Sequence, residues 1–414
     1  MSASAPTISH GVDLLPTQTS LDPPETPKFK DTQDHASHHH QMPLVLPSPD
    51  DSESDEIEGA ASETDSSNDT THSTNNDYIN IANTTTNTNF NRAICHGRVK
   101  NPEAMVPKTW WKTVFSDQLY LQTDGDVVED PAITLEEVRL LEGISAIHDI
   151  LQASSSPDRT IKVLDLCCGQ GRHTLLLAEL YPSLELHGHD QSEFLIQLAR
   201  SRAAAAVSSK DDVPSSASSN SKNKGGAKIN FTIGDCRSIP FPDQTFDLVL
   251  MMGNSFGYFS NDKDDESVLA QISRILCPGG VVVLDITDGA YQRENFSPRS
   301  WEWVDDEMLV CRERWLSEDR KRLVCREVVI KTAQGIIRDQ FYQERLYDGE
   351  EIQHLLRGAG LKRLYQDDEG QQQAQGDQAR DLAIKTGKEM SQRGEDLGMM
   401  GQRNFVIAVK TTTL

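Results

Sequence analysis

Apolar residues show no periodic pattern over roughly the first hundred positions of this chain, and after that they recur in two alternating periods. Trp110, Trp111, Val114, Phe115 and Leu119 fall at helical spacing. Thr134-Leu135-Glu136-Glu137 then reads as a capping box before Val138, Leu140, Leu141, Ile144 and Ile147. These helices are expected to pack on the edge of the sheet whose first strand begins at position 161. From there the pattern alternates: strand 161–167, helix 172–180, strand 184–188, helix 192–205, strands 229–233 and 246–251, helix 264–276 and strand 280–286. That rhythm predicts an α/β fold, a doubly wound and mostly parallel sheet with helices on both faces. Within 299–346 the period changes to two: Trp301-Glu302-Trp303-Val304, Leu309 to Trp315 and Leu323 to Ile330 alternate as strands. They predict an antiparallel meander inserted after the fifth strand and built onto the ligand-facing edge of the sheet. Helix 349–359, strand 361–365 and a last strand over Asn404–Lys410 complete the pattern.

Composition divides the 414 residues further. Residues 1–105 are rich in Ser, Thr, Asn, Asp and Pro, with an acidic run from Asp50 to Glu56, and lack the apolar area to offset chain entropy. They predict a disordered tail. Its cluster His35, His38, His39 and His40 has no Cys or carboxylate frame beside it, so no metal site is expected. A folded domain is expected over 106–366, with a core at 158–287 and the meander as a lid at 292–347. The low-complexity stretches 207–227 and 367–402 are expected as surface insertions, with the final strand in 403–414. A formal charge of -24 repels phosphate backbones and anionic membrane surfaces, so nucleic-acid and membrane partners are not expected and small-molecule chemistry becomes the default. Seven cysteines without paired C-x-x-C spacing, and the lack of an apolar run of about 18 residues, read as a reduced, soluble protein of the cytoplasm or nucleus. Oligomeric state is not legible.

The candidate chemistry sits at successive strand ends, where an open α/β sheet binds its ligands. Val163-Leu164-Asp165-Leu166-Cys167-Cys168-Gly169-Gln170-Gly171 runs a buried strand into a glycine turn and a helix. Position 174 is threonine, so the third glycine of a dinucleotide signature is missing and a bound pyrophosphate is disfavoured. Asp190, next to Gln191, lies 19 positions past Gly171, a spacing suited to ribose hydroxyls and equally to a helix cap. Asp235-Cys236 closes the next strand, and Asn254, Ser255 and Tyr258 come after the one beyond it. Asn254 also suits an ordinary turn, and Tyr258 plain packing. In the meander, Arg299, Trp301, Trp303 and Arg345 offer cationic and aromatic surface for a substrate, whereas Arg312-Glu313-Arg314 and Arg326-Glu327 read as cross-strand charge pairs. His173, one turn into the helix, suits a structural or carboxylate-binding role.

In their order and spacing these motifs, with Pro240-Phe241-Pro242-Asp243, Phe246-Asp247-Leu248-Val249 and Leu276-Cys277-Pro278-Gly279-Gly280, resemble the class I S-adenosylmethionine-dependent methyltransferases, firmly over 161–286. The resemblance implies a Rossmann-like fold and S-adenosylmethionine as cofactor. It places Asp165, Gly169 and Gly171 around the methionine moiety, Asp190 at the ribose, and Asp235 with Cys236 at the adenine, with Cys167, Gln191 and Asn254 as further cofactor-binding candidates. Asn254 and Tyr258 would face the transferable methyl, with Tyr258 a candidate to bind or deprotonate a small-molecule acceptor. Ser255-Phe256-Gly257 departs from the Asp/Asn-Pro-Pro-Tyr pattern of nucleic-acid amino-methylating enzymes. Two further readings stay open: a protein methyltransferase recruited through the acidic tail, and a non-catalytic cofactor-binding scaffold.

Overall fold

The computed structural model describes residues 95–153, 159–211, 227–364 and 402–411, without the side chains of 207–211. The histidine cluster, most of both low-complexity insertions and nearly all of the expected tail lie outside the described residues. The described residues begin at Cys95, and hydrophobic periodicity does not reveal what holds this first segment. His96 donates its backbone N–H to Asp339 (2.8 Å), and Arg326 reaches the Gly97 carbonyl (3.1 Å), so a polar strap rather than an apolar face fixes this segment.

Seven strands form the main sheet in the order β10-β11-β5-β4-β1-β2-β3. They are β1 (Lys162–Leu166), β2 (Glu185–Asp190), β3 (Lys228–Ile233), β4 (Phe246–Met251), β5 (Leu276–Thr287), β10 (Leu361–Arg363) and β11 (Arg403–Lys410). β1 to β5 are mutually parallel, and β11 pairs antiparallel with both β5 and β10. Chain order runs outward from β1 on one side and from β4 on the other, which puts a topological switch point between them.

Alternation along the buried strands feeds two cores. Leu164, Leu166, Val249, Met251, Val282 and Leu284 face α8 (Asp262–Ile275) and α10 (Gly349–Gly358). Val163, Leu186, Leu248, Leu250 and Val283 face α4 (Pro131–Glu142), α5 (Ser145–Ala153) and α6 (Arg172–Leu180). Helices therefore cover both faces, as the sequence predicts. α4 starts earlier than the expected capping box: Asp130 accepts the Ala132 N–H and Pro131 opens the first turn, leaving Thr134 and Glu137 inside the helix and buried. α7 (Glu193–Asp211) extends five residues into the expected insertion.

The meander is a separate sheet rather than an extension of the main one. β6 (Arg299–Trp303), β7 (Met308–Leu316), β8 (Arg322–Lys331) and β9 (Gly335–Arg345) pair antiparallel in that order, and none pairs with the main sheet. On the face that meets the cleft the strands carry buried charge: Arg312, Arg314 and Glu327 need polar partners and cannot face a helix-covered core. A backbone bond from Arg345 to Gly257 (2.8 Å) ties the end of β9 to the loop after β4. α9 (Gly289–Asn295), capped by Asp288, connects the two sheets. Three short helices, α1 (Trp111–Val114), α2 (Gln118–Thr123) and α3 (Gly125–Val128), supply further walls of the cleft. No described helix is long and apolar enough to cross a membrane.

Candidate functional site

The glycine turn after β1 forms the floor of the cleft. Cys167 (φ 59°), Gly169 (φ 54°) and Gly171 (φ 78°) all take the left-handed conformation, reversing the chain into α6 within five residues. A Cβ on Gly169 would find only Leu195 Cδ1, at 3.8 Å, so the space above it is open. Gly171 does not line the cleft. A Cβ there would meet the Phe231 ring at 2.9 Å and Ala199 at 3.1 Å, so close packing against β3 and α7 requires glycine at this position.

Asp190 holds the turn from the neighbouring strand. One carboxylate oxygen accepts the Gly169 N–H (2.9 Å) and the other accepts the Ser192 N–H (2.8 Å), so it is both a helix cap and a loop clamp. Burial raises its pKa, against the pull of those N–H groups. Beneath the turn, Asp165 Oδ2 accepts the Thr174 hydroxyl (2.7 Å) and N–H (3.2 Å), while Oδ1 is buried with no partner. Burial raises this carboxyl as well.

One end of the cleft is lined by Trp111, Asp190, Gln191, Gly234, Asp235, Cys236 and Phe259. Gln191 is fixed by donating to the Trp111 carbonyl (2.7 Å). Asp235 grips Arg237 through both oxygens (3.0 and 2.6 Å), a pairing that lowers its pKa, and the guanidinium lies 4.4 Å from the Phe259 ring centre. Cys167, Gly169, Gly253, Ser255 and Tyr258 line both ends, so the cleft is continuous.

The other end is a chamber between the floor and the four-stranded sheet. Trp110, Val114, Thr123, Asp124, Gln170, Arg172 and Asn254 line its lower walls, and Arg312, Arg314, Glu327, Arg338, Gln340 and Tyr342 line its roof. Asn254, at φ 57°, has both ends of its amide occupied. Oδ1 accepts the Thr287 N–H (2.8 Å) and Nδ2 donates to Glu344. Its side chain therefore fixes the loop while the residue lines the chamber. Burial pushes Glu344 up to about 8, against its hydrogen bonds to Asn254 and Thr287 and the nearby Arg314. Tyr258 packs 4.8 Å from Trp110, and burial pushes its phenol well above the ordinary value. Its phenol therefore keeps its proton at neutral pH.

Below the loop, Asp285 accepts the Gly253 N–H (2.8 Å) and is gripped by Arg403 from β11. Arg403 also reaches Glu137 (2.6 Å), whose second oxygen meets His173 (2.9 Å) and Arg172. In the roof, Arg312 donates to Glu327 (2.9 Å), to Glu302 and to the Thr123 carbonyl (3.2 Å), and Gln340 completes the Glu327 carboxylate (2.9 Å). Glu137, Asp285, Glu344 and Arg403 escape sequence reading because their partners are distant in the chain. Arg312 and Glu327 are legible as a cross-strand pair, but their place in the roof is not.

The structure separates four expected substrate residues from the chamber. Strand parity decides three of them: with Arg312 and Arg314 facing inward, Arg299, Trp301 and Trp303 face outward. Trp301 and Trp303 are 68% and 54% exposed, and Arg299 pairs with Glu313 (3.3 Å). Arg345 points instead to Asp262 and Asp265 of α8, in a separate groove beside α10.

Residues 163–280 match a family model described as a methyltransferase domain. The chain is 32% identical over 123 residues to a demethylmenaquinone methyltransferase of Thermus thermophilus, covering 30% of this chain and 46% of the relative. It is 33% identical over 128 residues to a 2-phytyl-1,4-naphtoquinone methyltransferase of Synechococcus elongatus, again covering 30% and 46%. The matched segment thus spans just under half the length of these curated relatives. Among solved structures, the CcbJ methyltransferase of Streptomyces caelestis aligns over 73% of this chain and 99% of its own, at 19% identity and a TM-score of 0.48.

Proposed function

We propose, from the premise that this chain carries a methyltransferase domain of the class I S-adenosylmethionine-dependent type, that the protein transfers a methyl group from S-adenosylmethionine to a small-molecule acceptor. The observation that carries the reading is the continuity of one cleft from Asp190 and Asp235 through Gly169 to a chamber roofed by buried side chains. The residues suit the cofactor. Asp165 Oδ1, buried without a partner, is an acceptor for a cationic amino-acid group, and open space above Gly169 admits a chain that a Cβ would crowd. Buried carboxylates at the strand ends favour a sulfonium over a pyrophosphate. In this reading Asp190 offers remaining lone pairs to ribose hydroxyls, Asp235 and Cys236 border the adenine, and Arg172 lies at the chamber end to meet a carboxylate.

When bound, the cofactor supplies an already activated methyl, so the protein's task is alignment and exclusion of water. Asp285 and Asn254 fix the loop from Gly253 to Tyr258 between the two ends of the cleft. Tyr258 and Trp110 form an aromatic wall, and Tyr258 keeps its proton and so offers a hydrogen-bond donor to an acceptor. The depth of Trp110, Asn254, Arg312, Arg314 and Glu327, each under 7% exposed, favours an acceptor that enters whole rather than a residue on a folded protein. Two measurements test this: calorimetry with S-adenosylmethionine and its demethylated product, then transfer of radiolabelled methyl into a metabolite extract. Micromolar binding and a labelled small product are expected. A folded protein that ignores both compounds would overturn the reading.

A further inference from the structure

The four-stranded sheet has two faces of different character, and the roof of the chamber uses only one. On the other, Trp301 and Trp303 stand on β6 beside Leu309 and Cys311 of β7, with Val328 of β8 behind Cys311. Two tryptophans more than half exposed, side by side on one strand, are unusual for a surface facing only water. The same strand is an edge: among the described residues β6 has one strand neighbour, β7, so its outer side presents unpaired backbone groups.

We propose that a second copy of this chain docks edge to edge along β6, joining two four-stranded sheets into one eight-stranded antiparallel sheet about a twofold axis. The strand itself points to this occupant. In Arg299-Ser300-Trp301-Glu302-Trp303, antiparallel pairing centred on Trp301 sets each Trp301 against its counterpart. Arg299 then falls opposite Trp303 of the other copy, where a guanidinium over an indole face is favourable. The strand is thus complementary to itself, as a twofold interface requires. Charge supports the same occupant. Two chains of formal charge -24 repel over most of their surface, yet on this face of β7 Glu313, the cross-strand partner of Arg299, is already paired with it (3.3 Å). Because the opposite face of the sheet is the chamber roof, such a contact would buttress the roof from outside.

Sedimentation velocity on the full chain, from about 1 to 100 μM, tests this. A species of twice the 46.1 kDa chain mass is expected at the upper end, with tryptophan emission shifting to the blue as it forms. The double variant Trp301→Glu, Trp303→Glu should stay monomeric over that range, with an unchanged far-UV spectrum and unchanged cofactor affinity. A wild-type chain that stays monomeric at 100 μM would sink the proposal. So would a dimer that survives the double variant, or indole burial that needs a different protein. Cofactor affinity is read separately, so this result and that of the proposed function fail independently.

Discussion

The floor and the roof of the cleft are built on different principles. In the floor, carboxylates hold backbone N–H groups: Asp190 holds Gly169, Asp285 holds Gly253, and Asp165 holds Thr174. In the roof, side chains hold side chains, with Arg312, Glu327, Gln340 and Glu302 in one cross-strand network. A carboxylate on an amide fixes where the main chain passes, which a shared cofactor needs. A side-chain lattice fixes a surface whose residues can be exchanged without moving the strands, which suits the recognition of one acceptor.

The largest way to break the floor is from beneath. Arg403→Ala leaves Asp285 and Glu137 buried without their shared cation, and should cost about 3–5 kcal/mol of stability, read by urea unfolding. Arg312→Ala should cost somewhat less, about 3 kcal/mol by the same reasoning, because Glu302 and Asp124 retain access to water. It should raise the acceptor KM while leaving cofactor affinity near wild type; equal damage to both would erase the distinction between floor and roof. Asp190→Ala reverses that pattern, weakening cofactor binding by about 1–3 kcal/mol in calorimetry, provided the far-UV spectrum stays native.

Glu344 joins floor to roof, and it is sensitive to pH. The folded protein keeps its proton up to about 8, whereas the unfolded chain releases it near the ordinary carboxyl value. Between those limits the folded state binds the extra proton, so this group makes stability fall as pH rises, with no further loss above the upper limit. Glu344→Gln should flatten that part of the profile of Tm against pH; an unaltered slope would assign it elsewhere. Arg299→Ala should be the smallest change, with no measurable effect on methyl transfer, since an exposed pair with Glu313 contributes little.

The floor is largely legible in the sequence because its signals are local. A strand that ends in Asp-x-Cys-Cys-Gly-x-Gly, or in a lone Asp before a helix, declares its turn within a few residues. The exception is Gly171, whose role depends on Phe231 in a distant strand. The roof is legible as strands and not as a site. Alternation gives two faces without saying which is inward, and the expectation for Trp301 and Trp303 picks the wrong one. Glu137 shows a different limit: its position imitates a capping box, while its partners Arg172 and Arg403 lie 35 and 266 residues away.

Arg403 also orders events in time. It reaches Asp285 across 118 residues of chain, in a strand that inserts between β5 and β10. During synthesis every other part of the floor leaves the ribosome first: Glu137 already has Arg172 and His173 beside it, whereas Asp285 awaits Arg403. The ion-pair network at the centre of the floor is therefore completed only by the last described strand to be synthesised.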